Sequence, residues 1–139
     1  MRIEFVDNLR SRLVDVMNEE LSHADDVRFA VAFMKYSGLR LIETSLDSCL
    51  NRGASVEFIV GLDFHTTDSQ SLRALRHRAN LYPHCRLYCY SDVADDASAY
   101  HPKLYLLGQG SSLTAIVGSS NLTQGGMRDN VEVDVMLQC

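Results

Sequence analysis

Segments with the 3.6-residue spacing of a helix alternate along this chain with short β-branched runs, which predicts an α/β fold built as a mixed β-sheet layered with helices. Three observations carry that expectation. Residues 27–34 are apolar on both alternating sets, Val27, Phe29, Val31 and Phe33 against Ala30, Ala32 and Met34, as a central strand covered on both faces requires. Residues 56–60 repeat a compact, β-branched run after one intervening helical pattern. Gly108-Gln109-Gly110-Ser111-Ser112 then separates two apolar runs, so residues 113–117 are expected to return as the second strand of a hairpin. With 139 residues, the chain is expected to be one domain, 1–139, with a core of its own.

At the start, Val6, Leu9, Leu13, Val16 and Leu21 fall near one helical face, so the first element is expected to be an amphipathic helix. The strand at 27–34 follows. Ser37 is a capping residue for a second helix striped by Leu39, Ile42, Leu46 and Leu50, and Gly53 stands where a left-handed stop is wanted. Thr67-Asp68-Ser69-Gln70 has the Thr-x-x-Gln form of a capping box, and Leu72, Leu75 and Ala79 mark a third helix. Its Arg73, Arg76, His77 and Arg78 read as a solvated face in preference to a phosphate-contacting one. Pro83 ends that region and residues 85–90 read as a strand. Asp92, Asp95 and Asp96 then make an acidic surface connection.

In the strand predicted from His101 to Leu107, Leu104 and Leu106 are expected to face the core, with His101, Lys103 and Tyr105 facing the other way. Gln124-Gly125-Gly126 is expected to be a flexible turn. Val131, Val133, Val135 and Leu137 alternate with Glu132, Asp134 and Met136 in a last strand, for a total of three helices and about six strands.

A formal net charge of −5 counts against a strong nonspecific nucleic-acid binder, although only a cleft must be positive to hold a phosphate. No apolar run reaches the length of a membrane span and the first residues do not form a secretory signal, so a soluble, cytoplasmic protein with no membrane partner is expected. Cys49, Cys85, Cys89 and Cys139 lack zinc-like spacing and are read as small buried hydrophobes. No metal site is expected.

The chemistry concentrates between Tyr100 and Glu132. Side chains two apart on a strand share a face, so His101 and Lys103 bring an imidazole and an ammonium together. Gly118-Ser119-Ser120-Asn121 offers hydroxyl and carboxamide donors, and the glycine offers room for a ligand near the backbone. The ligand implied by that set is a phosphate. A neutral imidazole is also a competent nucleophile near pH 7, which makes His101 the candidate to attack a phosphodiester.

The order His101-x-Lys103, Gly118-Ser119-x-Asn121 and Asn130-x-Glu132 resembles the phospholipase D superfamily, including its metal-independent nucleases. The run Gly-Ser-Ser-Asn-Leu-Thr-Gln-Gly-Gly is similar to the nuclease and helicase-associated branch. The resemblance implies a phospholipase D-like fold and a phosphohistidine intermediate, with one histidine attacking phosphorus and a second protonating the leaving oxygen. Lys103, Ser119 and Asn121 would be the substrate-binding residues, holding the nonbridging oxygens. Glu132 would accept a hydrogen bond from the nucleophilic histidine and fix its tautomer. No cofactor is implied.

Two departures matter. Gly108 occupies the position where the family usually has an aspartate, regarded as structural. The family mechanism also uses two His-x-Lys motifs, whereas His23, His65, His77 and His84 have no lysine two residues on. A homodimer is therefore expected to complete the site. The activity implied is endonucleolytic hydrolysis of DNA phosphodiesters. Similar domains occur fused to helicase or DNA-recognition modules, so such a fused neighbour belongs to the same expectation. The alternatives are a noncatalytic nucleic-acid-binding or dimerisation module and a phospholipid-processing phosphodiesterase.

Overall fold

The computed structural model describes residues 1–91 and 99–139; the acidic connection at 92–96 lies outside the described residues. Seven strands form one sheet: β1 (Arg2–Val6), β2 (Asp26–Val31), β3 (Ser55–Gly61), β4 (Cys85–Tyr90), β5 (Lys103–Gln109), β6 (Ser112–Gly118) and β7 (Asp134–Gln138), in the order β1-β7-β6-β5-β2-β3-β4. The helices are α1 (Leu13–Leu21), α2 (Tyr36–Leu39), α3 (Glu43–Asn51) and α4 (Ser69–Leu81). β2, β3 and β4 pair in parallel, as strands joined by helical crossovers do. The remaining neighbours are antiparallel, including the predicted β5–β6 hairpin, which turns at Gly110 with φ +57°.

The core lies on one face of this sheet. Val27, Phe29 and Val31 of β2, Val56, Phe58 and Val60 of β3, and Tyr105 and Leu107 of β5 are buried against Leu13, Met17 and Leu21 of α1, Leu46 and Leu50 of α3 and Leu75 of α4. Phe29 is its centre, edge-on to both Phe58 and Tyr105. Among the described residues the opposite face is open. Arg28, Tyr88, Leu113 and Val117 are exposed there, so β2 is internal to the sheet yet covered on a single face.

Several expectations are corrected. The opening helix is a strand followed by a shorter helix. Asp7 accepts the N–H groups of Leu9 and Arg10, and Asn8, at φ +62°, accepts the N–H of Leu13, so a side-chain-stabilised turn interrupts the apolar periodicity and leaves Leu9 outside. The second helix is split into α2 and α3 at Ile42, whose ψ near 0° is not helical, and Ser37 does not cap it. Gly53, with φ +91°, does follow the end of α3 as expected. For α4 the cap is Asp68, which accepts from Ser71 N–H, while Thr67 uses its hydroxyl to join Met34 N–H to the Gly61 carbonyl. Arg73, Arg76 and His77 are exposed, but Arg78 is buried and pairs with Glu43 and Asp47 of α3.

The side chains of β5 face opposite to expectation. Tyr105 and Leu107 enter the core and Leu104 and Leu106 lie on the open face, because both alternating sets of β5 are apolar and the helices cover the other one. β7 begins at Asp134, leaving Val131 and Val133 exposed before it, and the inward residues are Asp134 and Met136. Gly125–Asp129 is a wide helical turn with Gly126 buried, not a flexible connection. Cys49 and Cys85 are buried, whereas Cys89 and Cys139 are exposed, and all four are free thiols.

Candidate active site

The predicted site residues meet where β2 and β3 end, β5 begins and β6 ends. In α/β sheets with parallel strands this carboxyl edge is where ligands bind, since loops diverge there and leave a crevice. The chain carrying His101 is fixed on both sides even though the residue itself is exposed. Tyr100 stacks on Tyr90 at 4.7 Å and donates its hydroxyl to the Ile59 carbonyl at 3.2 Å. The Pro102 carbonyl accepts from Ala32 N–H at 2.8 Å. β5 starts only at Lys103, so His101 sits just outside the ladder.

Lys103 lies against the His101 ring, with its Nζ in contact with Nδ1 and 3.2 Å from Nε2. An ammonium can only donate, so the ring nitrogen facing it must carry a lone pair. Burial pulls the Lys103 ammonium below its ordinary pKa, and the Glu132 charge works in the other direction. Glu132 is held in the extended segment before β7 and accepts the hydroxyl of Ser119. Among the described residues the hydrogen-bond partner of the His101 ring is Lys103, so Glu132 acts here on Lys103 and Ser119 rather than on the imidazole.

Asn121 is oriented through its oxygen. Its Oδ1 accepts from Phe33 N–H at 3.1 Å, which leaves the two Nδ2 hydrogens without a protein acceptor among the described residues. Phe33 also meets the His101 ring edge-on, with centroids 5.9 Å apart. One residue at the end of β2 thus contacts both halves of the motif. The contacts His101–Lys103, Glu132–Ser119 and Asn121–Phe33–His101, with the Glu132 charge acting on Lys103, gather all five predicted residues at this edge of the sheet.

The residues beneath this cluster were not legible as site residues. Ser120 is fully buried between its two site-facing neighbours, donating N–H and Oγ–H to the two oxygens of Asp134 at 3.1 and 2.5 Å. Its carbonyl accepts the Tyr105 hydroxyl at 2.8 Å. Burial first, and then the negative charges of Asp134 and Glu132, push the Tyr105 phenol well above its ordinary range, so it remains a donor. Ser120 is therefore a structural anchor. Asn8 performs a similar task from the far edge of the sheet, donating to the Gly126 and Asn130 carbonyls, each at 2.9 Å. The only signal for it in the sequence was the Asp7-Asn8 turn pair.

The glycines differ from expectation in purpose. A Cβ on Gly118 would stand 2.2 Å from the Val133 carbonyl, and one on Gly126 would stand 2.3 Å from the Asn121 carbonyl. They permit close passage of the protein's own backbone beneath the donors, in place of a ligand's approach. At Gly108, the far end of β5 lies roughly 17 Å of strand from Lys103. There the Gly108 carbonyl accepts Asp25 N–H and the Asp25 carboxylate accepts Gly110 N–H. A carboxylate thus reaches that turn from the residue before β2, and the departure at Gly108 does not touch the site. Among the described residues no group of three His, Cys, Asp or Glu could hold a metal ion, and no helix is long and apolar enough to cross a membrane.

The family described as "Cardiolipin synthase, PLD-like domain" matches residues 17–138. Among curated proteins none matches the sequence. The fold is similar to that of NucT from Helicobacter pylori, with a TM-score of 0.73 at 16% identity over 97% of this chain and 84% of that one. It is also similar to Nuc from Salmonella typhimurium, a phospholipase D family member, with a TM-score of 0.70 at 18% identity over 97% of this chain and 81% of that one. Phosphatidylserine synthase from Haemophilus influenzae Rd KW20 matches 96% of this chain with 33% of its own, at 14% identity and a TM-score of 0.70. At these identities the structural likenesses establish the fold.

Proposed function

The chain belongs to the phospholipase D superfamily, and we propose that it is a metal-independent phosphodiesterase of nuclease type acting on DNA. The observation that carries this reading is the cluster itself. A nucleophile-capable imidazole, an ammonium and a carboxamide stand at one edge of the sheet, and the contacts among the described residues leave Asn121 Nδ2 free to donate.

In this reading a His101 ring nitrogen bonds to phosphorus while the bond to the leaving oxygen breaks. The nonbridging oxygens gain charge as this happens, and Lys103 and Asn121 donate to them, with Ser119 as the further donor once released from Glu132. A second imidazole gives its proton to the leaving oxygen. Water then breaks the phosphorus–nitrogen bond, and its proton returns to that second imidazole. Because His101 is the one histidine followed two residues later by lysine, the second is supplied by His101 of another copy of the chain. The run from Gly118 to Gly126, which is similar to the nuclease and helicase-associated branch, supports a nucleic-acid substrate over a lipid.

The test is hydrolysis of DNA and of a chromogenic phosphodiester in excess EDTA, for the wild type and His101→Ala. Turnover that persists in EDTA and falls at least about a thousandfold in the variant is expected, as for loss of a nucleophile. Turnover abolished by EDTA would refute the metal-independent reading, and an unaffected variant would refute the role of His101.

A further inference from the structure

At the outer rim of the site stands an aromatic side chain that the chemistry above does not use. Between β3 and α4 the chain makes one tight turn, Asp63–His65, in which Phe64 has φ +60° and His65 has φ +51°. Two successive non-glycine residues in the left-handed region are uncommon, and such conformations concentrate at functional sites. The turn directs the Phe64 ring outward, leaving it 71% exposed. The ring is not isolated: it meets Phe33 edge-on at 6.4 Å, and Phe33 meets His101 edge-on at 5.9 Å. A series of three rings therefore leads from the reacting imidazole to an open aromatic surface.

We propose that Phe64, backed by Phe33, is the stacking platform for a nucleobase adjacent to the phosphate held at His101, and that the preferred substrate is single-stranded DNA. The proposal rests on the phosphodiesterase reading. A base inside a duplex has both faces covered by its neighbours, so a lone protein ring can stack only on an unpaired or extruded base. The charge balance points the same way. A chain with net charge −5 gains little from general attraction to a phosphate backbone, so base stacking supplies grip that charge does not.

The experiment measures fluorescence anisotropy and hydrolysis, in EDTA, with a single-stranded oligothymidylate and with the same backbone carrying abasic sugars. Wild type, Phe64→Ala, Phe64→Leu and Phe64→Trp are compared. Phe64→Ala and Phe64→Leu are expected to weaken binding and lower kcat/KM about tenfold or more on the base-bearing strand. The abasic strand should be unaffected, and Phe64→Trp should restore the preference. Equal losses on both strands, or none on either, would overturn the proposal. So would a change in sedimentation of Phe64→Ala accompanied by equal losses, which would assign the ring to contact between copies. A wild type that binds the base-bearing strand through Phe64 but hydrolyses neither would leave the platform standing and remove the phosphodiesterase reading.

Discussion

Ser120 and Asp134 determine where Ser119 and Asn121 can point. Side chains alternate along an extended segment, so tying Ser120 inward through both Asp134 oxygens turns its two neighbours away from the core. Replacing Asp134 by Ala leaves a buried N–H and hydroxyl without acceptors, and urea denaturation is expected to show a loss of about 3 kcal/mol. That His101, Lys103, Ser119, Asn121 and Glu132 gather at one edge of the sheet was legible in their type and order. Asp134 was not, since a carboxylate among alternating apolar residues reads as outward-facing. Only its pairing with Ser120, fourteen residues away, makes inward burial tolerable. The partner of Glu132 was illegible for the same reason, because spacing alone cannot choose between the His101 ring and the Ser119 hydroxyl.

Among the elements, α4 depends on a residue that also fixes α2. Asp68 accepts Ser71 N–H at the start of α4 and, from a distance in sequence, the N–H of Tyr36. Burial alone would raise its pKa, but the hydrogen bonds from Ser71 and Tyr36 and the charge of Lys35 bring it below the ordinary carboxylate value. The folded state thus holds the proton less tightly than the unfolded one. This stabilisation is complete above the unfolded value, near pH 4, and is lost as pH falls through the folded value. Asp68→Asn is therefore expected to be about 1 kcal/mol less stable at pH 7 and to lose less than the wild type on acidification below about pH 4, measured by denaturant unfolding across pH. The elements themselves were largely legible where one face alone is apolar, as in α4 and β3. They were misread where both alternating sets of a strand are apolar, as in β5, because an open sheet face that carries Leu104 and Leu106 erases the difference between inside and outside.

The whole molecule presents one His-x-Lys motif at the carboxyl edge of a single sheet, and the proposed chemistry needs two imidazoles. If two copies share each site, mixing wild type with His101→Ala in increasing proportion should lower activity as the square of the wild-type fraction once subunits have exchanged. A linear fall would indicate that each chain works alone, and sedimentation of the wild type gives the independent check on a two-chain species. The α/β class was visible in the sequence, and the contribution of β1 was not. A strand that begins the chain yet pairs with the last one, Arg2 opposite Gln138, has no local signature of its partner.

The reaction proposed for this site is a double displacement at phosphorus through His101. Its most direct measurement is the stereochemical course of hydrolysis, in EDTA, of a phosphodiester made chiral at phosphorus with sulfur and followed in isotopically labelled water. Two successive in-line displacements, first by the imidazole and then by water, give overall retention of configuration, which is the predicted result. Inversion would mean that water attacks directly, and it would contradict a covalent histidine intermediate.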